Sequence, residues 1–231
     1  MDLASYQFDG FFDEMLQADG VPRPVARNLA RYLTALAGGE LLARQAAAER
    51  VLMESGATFN VCSEGCGAKK SLLFDLIPRM VDATEWERLE AGLKQRITAL
   101  NLFIDDIYHA QCIVRDGVVP RELVATSRGF LPQCVGVRSP RGVWCHIAGA
   151  DLVRDGDGRF YVLEDNLRCP SGVSYVLENR RLMKSLFPEM FRAENIRCVD
   201  DYPERLREML AFVAPDGVNE PRAVLLTPGG A

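Results

Sequence analysis

The sequence predicts a mixed α/β fold, with α+β character, behind a helical N-terminal segment. Three observations predict it. Stretches with helical spacing of apolar residues alternate with short apolar runs of strand length. One long amphipathic segment, residues 85–108, carries Trp86, Leu89, Leu93, Ile97, Leu100, Ile104 and Ile107 at steps of three or four. A DGDG turn at residues 155–158 joins two strand-like segments between 142 and 166.

The elements follow in order. Pro22 and Pro24 sit where a first helix can begin, and Val25, Leu29, Tyr32 and Leu33 give it an apolar stripe. After Gly38–Gly39, residues 40–54 read as a second helix with Leu41, Leu42, Ala46 and Val51 inward and Gly56 as its stop. A short strand is expected at 58–62, then a Gly-rich turn, then, in SLLFDLIPR (residues 71–79), a strand running into a proline-terminated loop. Thr84 with Glu87 three residues later forms a capping box for the long helix. A strand is expected at 112–115 and a helix from near Pro120. Beyond the hairpin, helices are expected at 174–186 and at 202–213, the latter capped by Asp200 or Asp201. AVLLT at 223–227 reads as a buried strand.

Composition narrows the function. With 231 residues, 48% hydrophobic and 26% charged, the chain has material for a core. No apolar run approaches the roughly 20 residues that span a bilayer. The acidic start MDLASYQFDGFFDEML lacks the pattern of a signal peptide, so a cytoplasmic location and no membrane partner are expected. The net charge of −5 supplies no electrostatic reason to bind nucleic acid. Seven cysteines, an odd number, read as reduced thiols. Cys62 and Cys66 form a C-x3-C pair without a second pair at zinc spacing, so buried or incidental thiols weigh against a zinc module.

The chemistry concentrates in HIAGADLVRDGDGRFYVLEDNLRCPSG, residues 146–172. With a four-residue loop, Arg154 faces Arg159 and Asp151 faces Val162. Asp151, Glu164 and Asn166 then share one face, with Asp151 diagonal to Glu164 at about 7–8 Å, while Leu163 and Asp165 point the other way. Two carboxylates and an amide oxygen are hard donors suited to Mg²⁺ beside phosphates. A one-residue slip would separate Asp151 from Glu164. The plain alternative is a solvated acidic turn. A Ca²⁺ loop is disfavoured because no Glu stands at the EF-hand twelfth position. Backbone amides of 171–173 open a helix and favour an anion, and Arg168 and Arg180 are cations for phosphate or carboxylate. Lys94 and Arg96 read as surface charges, His146 as a structural residue on the face opposite Asp151, and Cys169 as a thiol without a base. Lys69–Lys70 lack the spacing of a phosphate loop.

Asp151, then Glu164-x-Asn166 and a PSG turn, resemble the metal strand pair of the ATP-grasp superfamily. Together with TFNV (58–61), FDLIPR (74–79), LKQRITALNLFIDDIY (93–108), GFLP (129–132), HIAGADLVRD (146–155) and VLEDNLRCPSGVSYVLENR (162–180), the chain resembles the circularly permuted ATP-grasp family. That family is related to the synthetase part of glutathionylspermidine synthetase. The resemblance implies ATP-dependent ligation of a small-molecule or peptide carboxylate to an amine or thiol through an acyl phosphate. It implies Asp151, Glu164 and Asn166 as Mg²⁺ ligands at the phosphates of ATP, and Arg168 and Arg180 as catalytic cations. It implies Arg79, Ser171 and Gly172 as contacts to nucleotide phosphate or substrate.

Under that resemblance, residues 1–56 are a helical N-terminal segment, 57–215 the metal-binding portion and 216–231 the start of a further α/β domain. Two departures stand out. The loop CSEGCGAKKSLLF has unusual cysteines and lysines, and the lysine-bearing strands and Gly-rich lid expected after AVLLTPG are not reached. The expectation is therefore an incomplete ATP-grasp fold that carries the metal half, with a second polypeptide as one source of the missing nucleotide half. The rival expectation is a truncated, non-catalytic homologue that acts as a binding module.

Overall fold

The computed structural model describes residues 6, 10–54, 58–60, 69–71, 74–168, 170–218 and 220–224. The chain divides into two compact units. The first comprises Met1–Leu89, Asp151–Glu164 and Ser171–Val199; the second comprises Glu90–Ala150, Asp165–Pro170 and Asp200–Ala231.

The first unit is built around helices α1 (Arg27–Ala35), α2 (Glu40–Glu54), α6 (Val173–Leu186) and α7 (Pro188–Ala193). Its entry is tied by side chains: the Asp13 carboxylate accepts the N–H groups of Met15 and Leu16 at 2.8 and 2.6 Å, and Leu16 bridges Pro22. The α1 stripe forms as expected, with Leu29 and Leu33 buried. The α2 stripe does not. Ala48 and Leu52 are buried, whereas Leu42 and Val51 are exposed. The inward face runs 41, 44–45, 48, 52, and its middle is polar. Arg44 lies 5.0 Å over the Phe187 ring, donates to the Tyr32 hydroxyl at 2.9 Å, and reaches the Leu186 carbonyl at the end of α6. Its stem covers apolar surface while its head satisfies a helix-terminal acceptor.

The core joins Leu29, Leu33, Leu76, Met183, Phe187 and Met190, and a smaller cluster joins Ala48, Leu52 and Leu182. Pro188 ends α6, having no N–H to continue the ladder, and opens α7 at its first position. Strands β1 (Thr58–Asn60) and β2 (Lys69–Ser71) pair antiparallel, with Phe59 opposite Lys70. Of the expected strand and proline-terminated loop over 71–79, Ser71 lies in β2, residues 72–73 lie outside the described residues, and residues 74–79 form no strand. Cys62, Cys66, Gly56 and most of the AVLLT segment lie outside the described residues.

Helix α3 (Ala83–Tyr108) supplies its first turns to the first unit and the remainder to the second. Its cap is Asp82, whose carboxylate accepts the Glu85 N–H at 2.8 Å, in place of the Thr84–Glu87 box. The expected core stripe is half-buried through Leu89, Leu93, Ile97, Leu100 and Ile104; Ile107 is buried and Trp86 exposed.

In the second unit, residues 112–115 form helix α4 (Cys112–Arg115), correcting the expected strand. The Asp106 carboxylate accepts the N–H groups of Cys112 and Ile113 at 2.8 and 2.9 Å. Those two bonds satisfy first-turn donors, and this cap overrides the strand preference of Ile113 and Val114. They also hold the Asp106 carboxyl below its usual range. Helix α5 (Arg121–Thr126) follows Pro120, and α8 (Tyr202–Phe212) follows Asp201, which makes no side-chain cap bond.

Asn101 on α3 clamps the segment before the hairpin. Its amide oxygen accepts the N–H groups of Trp144 and Cys145 at 2.8 and 2.9 Å. Trp144 donates to Asp105 at 2.9 Å and stacks on Tyr108, which stacks on Phe130. Residues 142–148 therefore make no strand, and the first hairpin strand starts later than expected.

Cys145 is buried, with its thiol 3.1 Å from the carbonyls of Ile147 and Leu167. Burial pushes its pKa up. Exposed Cys198 is expected to alkylate at neutral pH while Cys145 stays unmodified, as mass mapping of the labelled protein would show. Because the folded thiol holds its proton more tightly, its contribution to stability is present below the unfolded value of about 8.5. That contribution is lost as pH rises through the higher folded value.

Candidate functional site

Strands β3 (Gly149–Arg154) and β4 (Phe160–Asn166) form the hairpin. The loop has three residues, not four. Asp155 N–H donates to the Arg159 carbonyl, and Gly158 N–H donates to the Asp155 carbonyl, both at 3.0 Å. The Asp155 carboxylate also accepts the N–H groups of Asp157 and Arg159 at 3.0 and 2.8 Å. Gly158 has φ +81°, the left-handed residue that closes such a turn. Asp155 thus faces Arg159, and the expected Arg154–Arg159 pairing is corrected by one residue. Arg154 faces Phe160 instead, and its guanidinium lies 4.0 Å over that ring.

Exposure follows this register near the tip. Leu152, Arg154, Phe160 and Val162 are half-buried; Asp151, Val153, Tyr161 and Leu163 are exposed. Counted from the loop alone, Asp151 would face Leu163 and Glu164 would lie on the other side. The alternation then skips: Leu163 and Glu164 are consecutive exposed residues, Asp165 turns inward, and Asn166 is exposed. Near the hairpin base, a Cβ built on Gly149 would lie 3.9 Å from the Asn166 Cβ and 3.0 Å from the Pro170 Cβ.

The tip is held by residues the sequence reading did not single out. Arg154, 9% exposed in its side chain, contacts Glu14 at 3.0 Å and Glu85 at 2.7 Å. It lies between the Phe12 and Phe160 rings, 4.9 and 4.0 Å from their centres. Phe12 also covers Gly158, where an added methyl would meet the ring at 2.4 Å. Two constraints therefore exclude a side chain at Gly158: its φ and this ring.

Arg79 is engaged by Glu14 in a two-pronged pair, both bonds 2.6 Å. The Arg79 bond is the largest cause holding the Glu14 carboxyl below its usual range. Arg180 donates to the Arg197 carbonyl at 2.7 Å and lies over Phe191. Ser171 and Gly172 are exposed at the start of α6, Gly172 in the cap position. Arg168 is exposed, and Cys169 lies outside the described residues.

One expectation is corrected. His146 is exposed but precedes β3, so strand alternation assigns it no face. Arg96 is a surface charge, as expected, 47% exposed in its side chain, and its Nε lies 2.6 Å from Asp165. Lys94 pairs with Glu90 at 2.6 Å on the surface of α3. Among the described residues, no three His, Cys, Asp or Glu side chains converge as a metal cage. The hairpin set has a different make-up, two carboxylates and one amide, all exposed hard-oxygen donors, which is the chemistry Mg²⁺ accepts with water and phosphate completing its shell.

The hairpin strands display acidic and amide oxygens on exposed positions. A sequence model of the family described as circularly permuted ATP-grasp type 2 matches residues 78–231. The chain belongs to that family. It is 49% identical over 229 residues to an uncharacterized protein of Synechocystis, covering 99% of this chain and 48% of the relative. It is 45% identical over 218 residues to an uncharacterized protein of Mycobacterium tuberculosis, covering 94% of this chain and 39% of that one. A Frankia casuarinae protein with the provisional name glutamate–cysteine ligase 2-2 is 39% identical over 230 residues, with 99% and 26% covered. The chain thus spans about half, or less, of the length of these curated relatives. No helix among the described residues is long and apolar enough to cross a membrane.

Proposed function

We propose that this chain carries the metal–phosphate side of an ATP-dependent carboxylate–amine ligase, with Asp151, Glu164 and Asn166 as the Mg²⁺ ligands. The observation that carries the reading is the family match spanning residues 78–231, which includes the hairpin with its three exposed oxygen donors. The Frankia relative's name, a glutamate–cysteine ligase, belongs to the same class of bond formation. The resemblance to glutathionylspermidine synthetase points to the same carboxylate–amine chemistry.

Mg²⁺–ATP, when bound, supplies a phosphoryl group that activates a carboxylate toward an amine. The chain's own residues then have distinct tasks. Asp151, Glu164 and Asn166 hold the cation with strand-borne, stiff donors. Exposed Arg168 balances the charge of a substrate carboxylate. The amides of Ser171 and Gly172, at the start of α6, accept an anion. Arg180 and Arg79 are placed at the edge of this reading, because each already has a partner, the Arg197 carbonyl and Glu14. The relatives have more than half of their own length outside the match.

Calorimetric titration of ATP with and without Mg²⁺ tests the reading. The wild-type chain is expected to bind ATP only with the metal, and Glu164→Gln to weaken that binding by roughly tenfold or more. Binding that is equal without Mg²⁺, or unchanged in Glu164→Gln, would favour the non-catalytic alternative and remove these ligands.

A further inference from the structure

We propose that β4 contains a bulge at Leu163–Glu164, locked by the Arg96–Asp165 pair, and that this device turns Glu164 onto the face of Asp151. The inference deepens the ligand reading above and rests on it. The loop places Asp155 opposite Arg159, so paired numbers sum to 314 near the tip. At the base, an added Gly149 Cβ would lie 3.9 Å from the Asn166 Cβ, the separation of directly opposed residues rather than of diagonal ones. That pairing sums to 315. One extra residue of β4 must therefore be accommodated between tip and base.

The exposure pattern shows where. Leu163 and Glu164 are the only consecutive exposed pair in β4. A bulge sets two residues against one on the partner strand, here Leu163 and Glu164 against Asp151. Past it, Glu164 stands opposite Asp151, and Asn166 opposite Gly149. The three-residue loop by itself would have separated the two carboxylates, and the bulge restores them to one side.

Asp165 explains how the shifted phase is kept. Its side chain is 10% exposed, and its partner Arg96 is 69 positions away in sequence. An acid in that inward position costs stability unless paired, and an apolar residue would fill the space without the desolvation cost. Gly149 offers Asn166 no side chain to pack on, so that one pair of side chains does not hold the phase at the strand end. The ion pair holds it instead. Asp165 and Arg96 are accordingly positioning residues, which act on the ligands through the strand.

Electron paramagnetic resonance of Mn²⁺ with ATP reads the site directly. Asp165→Leu is expected to weaken Mn²⁺–ATP binding by about tenfold, the scale of outer-shell partners of a metal site. Its unfolding midpoint is expected to stay close to wild type, since leucine fills the inward position and Arg96, 47% exposed, is left solvated rather than stranded. Arg96→Lys, which keeps the charge, is expected to recover most of the affinity lost in Arg96→Met. Wild-type binding in Asp165→Leu, with Glu164→Gln still impaired, would overturn the positioning role and leave the ligand reading standing. No effect of Glu164→Gln would overturn the ligand reading itself, and this inference with it.

Discussion

Phe187→Ala is expected to lower the unfolding free energy by about 3–5 kcal/mol, the range for truncating a fully buried phenylalanine. Phe187 is 1% exposed and is the largest of the fully buried side chains among the described residues. It sits at the junction of α6 and α7, packs edge-on against Tyr32 with centroids 5.7 Å apart, and carries the Arg44 guanidinium on its face. Alanine would leave a cavity against Leu29, Leu33 and Met190, which share its cluster. It would also remove the surface that shields the Arg44–Leu186 bond. Leucine at the same position, which keeps much of the volume, is expected to cost less than half as much. Urea unfolding followed by far-ultraviolet circular dichroism measures both, and a Phe187→Ala loss below about 1 kcal/mol would contradict the packing described.

Arg154→Met is expected to cost about 2–3 kcal/mol. Removing one partner of a buried ion pair costs about 3–5 kcal/mol when the remaining charge is stranded. The figure is reduced here because Glu85 is 28% exposed and Glu14 keeps Arg79. Methionine retains the contact with Phe160, so the loss isolates the charge. A pH series adds a second check. Glu14 has a lowered carboxyl pKa, chiefly through the Arg79 bond. Its contribution is therefore complete above the unfolded value of about 4.3 and is lost as pH falls through the lower folded value. Glu14→Gln is expected to flatten the wild-type decline in that acid window.

Much of the architecture was legible because its signals were local. The α1 stripe, the stop at Pro188 and the helix beginning near Ser174 each depend on a few neighbouring residues. The misses share a physical cause, which is a side-chain partner, near or distant in sequence, that residue preference alone does not reveal. Ile113 and Val114 favour a strand, yet Asp106 caps them into a helix. Arg44 and Gln45 disguise the inner face of α2, because a guanidinium spread over Phe187 does the work of an apolar side chain. Thr84 and Glu87 look like a capping box, but Asp82 reaches the open N–H first.

The candidate site was legible as a set of residue types and not as a geometry. Asp151, Glu164 and Asn166 stood out because two acids and an amide recur across a DGDG turn. The loop length had to be seen, because DGDG suits either a three- or a four-residue turn, and only the Asp155–Arg159 bond decides. The Glu14–Arg154–Glu85 contacts had no signal at all, since 140 and 69 positions separate their members from Arg154.

The closed tip also limits how this gene can drift. With Gly158 roofed by Phe12 and Asp155 spanning the turn with both backbone and carboxylate, the segment 155–158 tolerates neither a longer nor a shorter version. A single-codon insertion there would exchange inside for outside along the rest of β4, carrying the oxygen donors toward Phe160's side of the strand pair. Indels and inserted tags should therefore survive in the exposed 135–138 stretch and be eliminated at the hairpin tip, even though both are surface turns of comparable length.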